Sequence, residues 1–89
     1  MATVKLEIVT PEALIVSQDV GMVVVPGSEG DMGVKPGHAP TISTLRDGSV
    51  RVYKDGLAGG ITSTFDVSGG FVDVTPEVCR VLCESASSL

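Results

Sequence analysis

The apolar positions of this chain recur with a period of two. Val4, Leu6 and Ile8 alternate with Lys5 and Glu7, which predicts a strand with one face on a core and the other in solvent. Thr10-Pro11-Glu12 breaks that strand, and Ala13–Val16 resumes the apolar pattern. Met22-Val23-Val24-Val25 is apolar at every position, as expected of a strand covered on both faces. Asp47-Gly48 lies between Thr44-Leu45-Arg46 and Val50-Arg51-Val52-Tyr53, a pattern that predicts a two-residue hairpin. Asp55–Gly60 reads as a flexible loop. Strands are predicted over Ile61–Val67, Phe71–Val74 and Val78–Cys83, parted by Ser68-Gly69-Gly70 and by Thr75-Pro76-Glu77. No segment carries a convincing helical period, and no internal repeat is present. Eight or so short strands at near-regular spacing make the chain all-β, a sandwich or barrel.

The least ordinary stretch is Pro26-Gly27-Ser28-Glu29-Gly30-Asp31-Met32-Gly33, followed by Val34-Lys35-Pro36-Gly37-His38-Ala39-Pro40. Its glycines and prolines exclude helix and predict tight, specifically shaped turns, with Gly33 expected at positive φ. The GxxGxxG spacing of Gly27, Gly30 and Gly33 is also that of a phosphate cradle. Such a cradle needs a following helix and a cation, whereas Glu29 and Asp31 would repel phosphate. Two readings stay open: a turn shaped only for folding, or a recognition loop that offers carboxylates to a basic partner.

Composition narrows the function classes. Apolar residues supply 43% of the 89, enough for a core, but aromatics supply only 3%, so Val, Ile, Leu and Met must fill it. A formal net charge of -5 argues against nucleic acid, which demands clustered cations. No run approaches the roughly 20 apolar residues that span a bilayer, and the N-terminus lacks the layout of a signal peptide; a soluble, intracellular chain is expected. Cys79 and Cys83, separated by about 13 Å on one strand, lie too far apart to bridge and are expected as reduced, core-facing thiols. With His38 they make three soft ligands without the close cysteine spacing of structural zinc, so no metal is expected. His38 with Ser28 or Ser43 and an Asp would be needed for nucleophilic catalysis, yet no nucleophile elbow is present. Met22 and Met32 suit a core or an adaptable partner surface.

The run Met22–Pro40 closely resembles the N-terminal domain of the epsilon subunit of F-type ATP synthases: apolar strand, Gly-Ser-Glu-Gly, an acidic residue, Gly, then Pro-Gly-His-Ala-Pro. Glu7-Ile8-Val9-Thr10-Pro11-Glu12, Val67–Val74 and Val78–Leu82 extend the likeness over residues 3–84. The resemblance implies a flattened sandwich of two five-stranded sheets, with a domain over residues 1–84; the Ser-rich stretch 85–89 is expected as a disordered tail. It implies a non-catalytic rotor subunit without cofactor. That subunit would bind the gamma subunit and the membrane rotor ring (c subunits) of the central stalk, and so couple proton-driven rotation to ATP synthesis. The implied location is the cytoplasmic face of the inner, energy-transducing membrane, as a peripheral subunit with no direct membrane insertion. Carried over residue by residue, the ring contact falls on Ser28, Glu29 and Asp31. The gamma contact falls on Thr10 and His38, with Ala39, Pro40 and Thr41 as neighbours. The family usually continues with a two-helix C-terminal domain; the sequence holds no such helical hairpin, so nucleotide binding is not expected of it. The alternative is a free-standing β-sandwich interaction adaptor.

Overall fold

Alternation builds the first strand as the pattern predicts. Val4, Leu6 and Ile8 are fully buried and Lys5 is exposed, which lays one face of β1 (Val4–Val9) on the core. The computed structural model describes residues 2–89. The chain continues through β2 (Leu14–Val20), β3 (Met22–Gly27), β4 (Gly30–Val34), β5 (Thr41–Thr44), β6 (Gly48–Tyr53), β7 (Ser63–Val74) and β8 (Val78–Ser88). A single 3-10 turn at Leu57–Gly59 is the one helical element among the described residues.

All strands join one hydrogen-bonded ladder in the order β2-β1-β8-β7-β6-β3-β4, with β5 on β7. This ladder folds into two layers because β7 and β8 are long enough to serve both. Phe71–Val74 pairs with β5 and with the start of β8, giving the layer β2-β1-β8-β7-β5. Ser63–Val67 pairs with β6, while β7 from Phe65 to Ser68 pairs with the end of β8, giving the layer β8-β7-β6-β3-β4. Each layer therefore has five strands, and one shared core joins Val4, Leu6, Ile8 and Val81 of the first to Val23, Val25, Val50 and Val52 of the second. The fold is the expected all-β sandwich.

The core is mostly valine, with Leu6, Ile8 and Leu45 as its larger members and Phe65 packed against it. Valine suits a pleated surface because its branched β-carbon leaves little rotamer freedom to lose. Each fully buried valine stabilises the fold by about 1.5 kcal/mol or more.

The corner between layers departs from the sequence expectation. Asp47-Gly48 is not a hairpin, since β5 and β6 do not pair with each other. Both run along the same edge of β7 in one register: Thr44 opposes Phe71, and Gly48, four residues later, opposes Val67, four residues earlier. Residues 45–47 carry the chain around the bend. Opposite them, one Asp47 carboxylate oxygen accepts from Ser68 Oγ at 3.0 Å and from the Gly69 N–H at 3.1 Å. The Asp47 carboxylate is committed to the bend, and Gly48 does not take the positive φ of a hairpin turn.

A second departure is the C-terminus. Residues 85–88, expected as disordered tail, extend β8: Ser85, Ala86, Ser87 and Ser88 oppose Ser68, Val67, Asp66 and Phe65. The Leu89 N–H also donates to the Thr64 carbonyl at 3.0 Å. Backbone pairing holds this stretch, so its serine side chains carried no signal of it.

Gly70 is the residue on which the bend turns. Its φ of +112° is one that side chains rarely tolerate, and an added Cβ would drive into the Leu82 carbonyl oxygen. Gly70→Ala is expected to lower stability by about 3 kcal/mol, read as a fall in the urea midpoint. An unchanged midpoint would show that the corner relaxes without cost.

Candidate docking site

The glycine-rich stretch folds as a β-hairpin. Gly27 of β3 opposes Gly30 of β4, which leaves Ser28 and Glu29 as a two-residue tip. Neither tip residue has positive φ; the unusual dihedral falls on Gly30, at +138°. Gly33, expected at positive φ, instead takes an ordinary strand conformation, and its missing side chain leaves room for the end of Met22, 3.1 Å from where a Cβ would sit. The tip is tied to the corner on one side, where the Ser28 N–H donates to the Thr44 carbonyl at 2.8 Å and the Ser28 and Thr44 hydroxyls share a 2.7 Å hydrogen bond. Glu29 is exposed and forms no ion pair among the described residues.

Asp31, next along β4, is held very differently. Arg46 Nη2 donates to Asp31 Oδ1, and Arg51 Nη2 donates to Oδ2 at 2.7 Å. Arg46 Nη1 also donates to the Gly27 carbonyl. β3 lies between β4 and β6, so the Asp31–Arg51 pair straps across its outer face. Val24 there opposes both Gly33 and Arg51, and Pro26 opposes Asp31. Arginine stems readily cover apolar surface, and Val24 is only 9% exposed. The strap accounts for the unbroken apolar run of β3. The Arg46 hydrogen bond, joined by the attraction of both guanidiniums, holds the Asp31 carboxyl below its ordinary value.

The residues assigned to a second contact do not gather at one point. Thr10 follows β1, where its N–H and the Ala13 N–H exchange hydrogen bonds with each other's carbonyls. His38, Ala39 and Pro40 lie in the link from β4 to β5, and the Gly37 N–H pins that link to the Pro76 carbonyl at 2.9 Å. Thr41 opens β5 and donates through its hydroxyl to the Ala39 carbonyl at 2.9 Å. By register, Thr10 and Thr41 occupy opposite corners of the first layer, about 20 Å apart at ordinary strand spacings. Between them runs an apolar outer surface that the motif reading missed. Val9, Leu82 and Phe71 oppose one another in a row across three strands, with Leu14 paired to Val9 and the 74%-exposed Ile42 at the edge. Thr10, Pro11, Phe71 and Leu82 line an open groove of about 330 Å³ at this end. Phe71 and Leu82 stand out of phase with core-facing Val72, Val74 and Val81, and that phase was the available signal.

The side chains considered for chemistry are not assembled for it. His38 Nδ1 lies 2.7 Å from the Ala39 carbonyl, Ser28 bonds Thr44, and Ser43 donates to the Thr44 carbonyl. Among the described residues no group of three His, Cys, Asp or Glu side chains is placed to hold a metal. No helix among them is long and apolar enough to cross a membrane. Cys79 and Cys83 are free and buried. Burial pushes the Cys79 thiol up to about 12, which keeps it neutral and unreactive near pH 7. Burial, then the neighbouring Glu84 carboxylate, raises Cys83 as well.

A valine-rich core, a braced hairpin tip and an exposed apolar face define a small domain of the β-sandwich class. Residues 3–88 match the family described as ATP synthase, Delta/Epsilon chain, beta-sandwich domain, and the chain belongs to that family. It is 48% identical over 86 residues to the ATP synthase epsilon chain of Granulibacter bethesdensis, covering 97% of this chain and 62% of that one. It is 52% identical over 83 residues to that of Rhodospirillum centenum, covering 93% and 56%, and 43% identical over 88 residues to that of Bacillus subtilis, covering 99% and 64%. The chain thus spans about three-fifths of the length of these curated relatives. Among solved structures, a chain of the Euglena gracilis mitochondrial ATP synthase, in an OSCP/F1/c-ring assembly, superposes with a TM-score of 0.86 at 26% identity. That match covers 99% of this chain and 54% of that one. A chain of the Tetrahymena thermophila mitochondrial ATP synthase central stalk and c-ring shares the fold at a TM-score of 0.76 and 14% identity, covering 94% and 65%.

The Asp31 environment gives a pH prediction with a defined sign. The folded state favours the carboxylate, so its contribution is complete above the ordinary aspartate value of 3.8 and is lost as pH falls through the lowered folded value. An NMR titration of the Asp31 side chain is expected to find its midpoint below 3.8, and Arg46→Gln with Arg51→Gln is expected to return it to that value.

Proposed function

We propose that this chain is a non-catalytic subunit of the central stalk of an F-type ATP synthase, docking on the gamma subunit with one surface and on the rotor ring with another. The observation that carries the reading is the hairpin tip, where Ser28 and Glu29 project with the Glu29 carboxylate uncompensated among the described residues. A fixed, exposed anion suits a polar, cationic loop, gaining specificity and encounter rate more than raw affinity. Membership of the epsilon-chain family supports the assignment of that loop to the ring, as does the structural likeness to a chain within an F1/c-ring assembly.

The gamma-facing surface is the outer face of the first layer. Thr10 and the His38–Thr41 segment meet a common partner only if that partner lies across this face, over Phe71 and Leu82. An apolar strip rimmed by polar residues is the form such contacts take. The proposed coupling role follows mechanically: one rigid sandwich joined to both the stalk and the ring transmits torque between them. The proposed location is the cytoplasmic face of the energy-transducing inner membrane, as a peripheral subunit.

Calorimetric titration of the chain into the cognate gamma subunit tests the division of surfaces. One-to-one binding is expected, weakened about tenfold or more by Phe71→Lys and by His38→Ala, and unaffected by Glu29→Lys. In the reassembled enzyme, Glu29→Lys is expected to lower proton-pumping efficiency instead. A folded chain that fails to bind gamma at all would point to the free-standing adaptor.

A further inference from the structure

We infer that Asp31 is a positioning residue: bound by Arg46 and Arg51, it holds the β3–β4 hairpin in shape so that Glu29 carries the docking charge alone. The inference deepens the proposed ring contact and rests on that reading for its functional meaning.

Three observations carry it. First, the charge count around the hairpin separates its two carboxylates. Asp31 has a guanidinium on each oxygen, whereas Glu29 has none among the described residues. An approaching cation would meet Asp31 already flanked by two positive charges, which oppose it. Glu29, at the tip, presents an unshared anion.

Second, the Asp31 pairs have a mechanical arrangement that isolated surface pairs lack. Exposed ion pairs generally contribute little, unless several charges form a network with defined geometry. Here one carboxylate joins two arginines, and one of those also grips the Gly27 carbonyl at the last position before the tip. The strap therefore links β4, the turn-side end of β3, the corner at Arg46 and the middle of β6. On the other side Ser28 is tied to Thr44 by backbone and hydroxyl. The hairpin is held at both flanks, and the Glu29 side chain has no such tie among the described residues.

Third, the hairpin needs such bracing. β4 is an edge strand of five residues paired only to β3. Two of its residues, Gly30 and Gly33, bring no side-chain contacts of their own. A short glycine-containing edge ribbon is weak by itself, so what fixes its direction must come from beyond its own ladder. The diagonal reach of Arg51 across β3 does this, and it also covers Val24.

The test separates positioning from contact by reading both in the same variants. Amide hydrogen exchange of residues 28–33 in the free 89-residue chain reports the brace, and binding of the chain to detergent-solubilised rotor ring reports docking. Asp31→Asn and Arg51→Gln are each expected to speed hairpin exchange by about tenfold and to act non-additively when combined. Asp31→Glu is expected to restore part of the protection. Asp31→Asn is expected to weaken ring binding while leaving its salt dependence in place. Glu29→Gln is expected to leave exchange unchanged and to flatten that salt dependence. Loss of ring binding in Asp31→Asn with unaltered hairpin exchange would overturn the inference and make Asp31 a direct contact. Unaltered exchange in both Asp31→Asn and Arg51→Gln would likewise overturn it. If exchange responds as expected but no Glu29 substitution alters ring binding, the brace stands and the ring-docking reading falls.

Discussion

The structure depends on one register carried without slip around a corner. β7 and β8 stay paired from Val74–Cys79 to Phe65–Ser88, and β5 and β6 track the other edge of β7 in a common register. A three-strand ribbon therefore bends as a unit, and each layer of the sandwich is what attaches to one of its halves. Because side chains alternate with a period of two, a slip of one residue on either side of the bend would send half of the core to solvent. The bend is where that risk concentrates. There Gly70 supplies a backbone conformation open to few residues, and Asp47 caps the turning strand opposite it.

The same bend separates the two surfaces. The hairpin of β3 and β4 belongs to the second layer, and the apolar strip of Val9, Leu82 and Phe71 belongs to the outer face of the first. One surface is polar and charged at a point; the other is apolar and broad. A body this small, 32 × 26 × 23 Å, presents two surfaces of opposite chemistry because its layers face different ways.

Much of the core was legible in the sequence because alternation is a direct consequence of the pleat. Val4, Leu6 and Ile8, the run Val23–Val25, and Cys79, Val81 and Cys83 are buried as their spacing requires. What escaped was decided by partners distant in sequence. Asp47-Gly48 carries the local signature of a turn, but opposite it lies Ser68-Gly69, twenty-odd residues away, and that pairing decides its conformation. Residues 85–88 read as a disordered tail because their side chains are mostly polar; they are strand because their backbones have neighbours. At the candidate site, the hairpin could be read as a shaped acidic segment from its glycines. The differing circumstances of Glu29 and Asp31 could not, because the arginines that distinguish them lie 15 and 20 residues downstream of Asp31.

The parallel pairing of β1 with β8 has a consequence for how this chain comes into being. Leu6 opposes Cys79 and Ile8 opposes Val81, and Glu7 meets Arg80 across a separation of 73 residues. A chain emerging from the ribosome can form the β1–β2 hairpin early, but an isolated hairpin is marginal in water. The buried face of β1 must wait for β8, about seventy residues further along the chain, to be made. Closure of this sandwich is therefore a late step in the folding of the domain, slow by the measure of its contact order. Until it happens the nascent chain presents a row of Val4, Leu6 and Ile8 to whatever chaperone or neighbouring strand reaches it first.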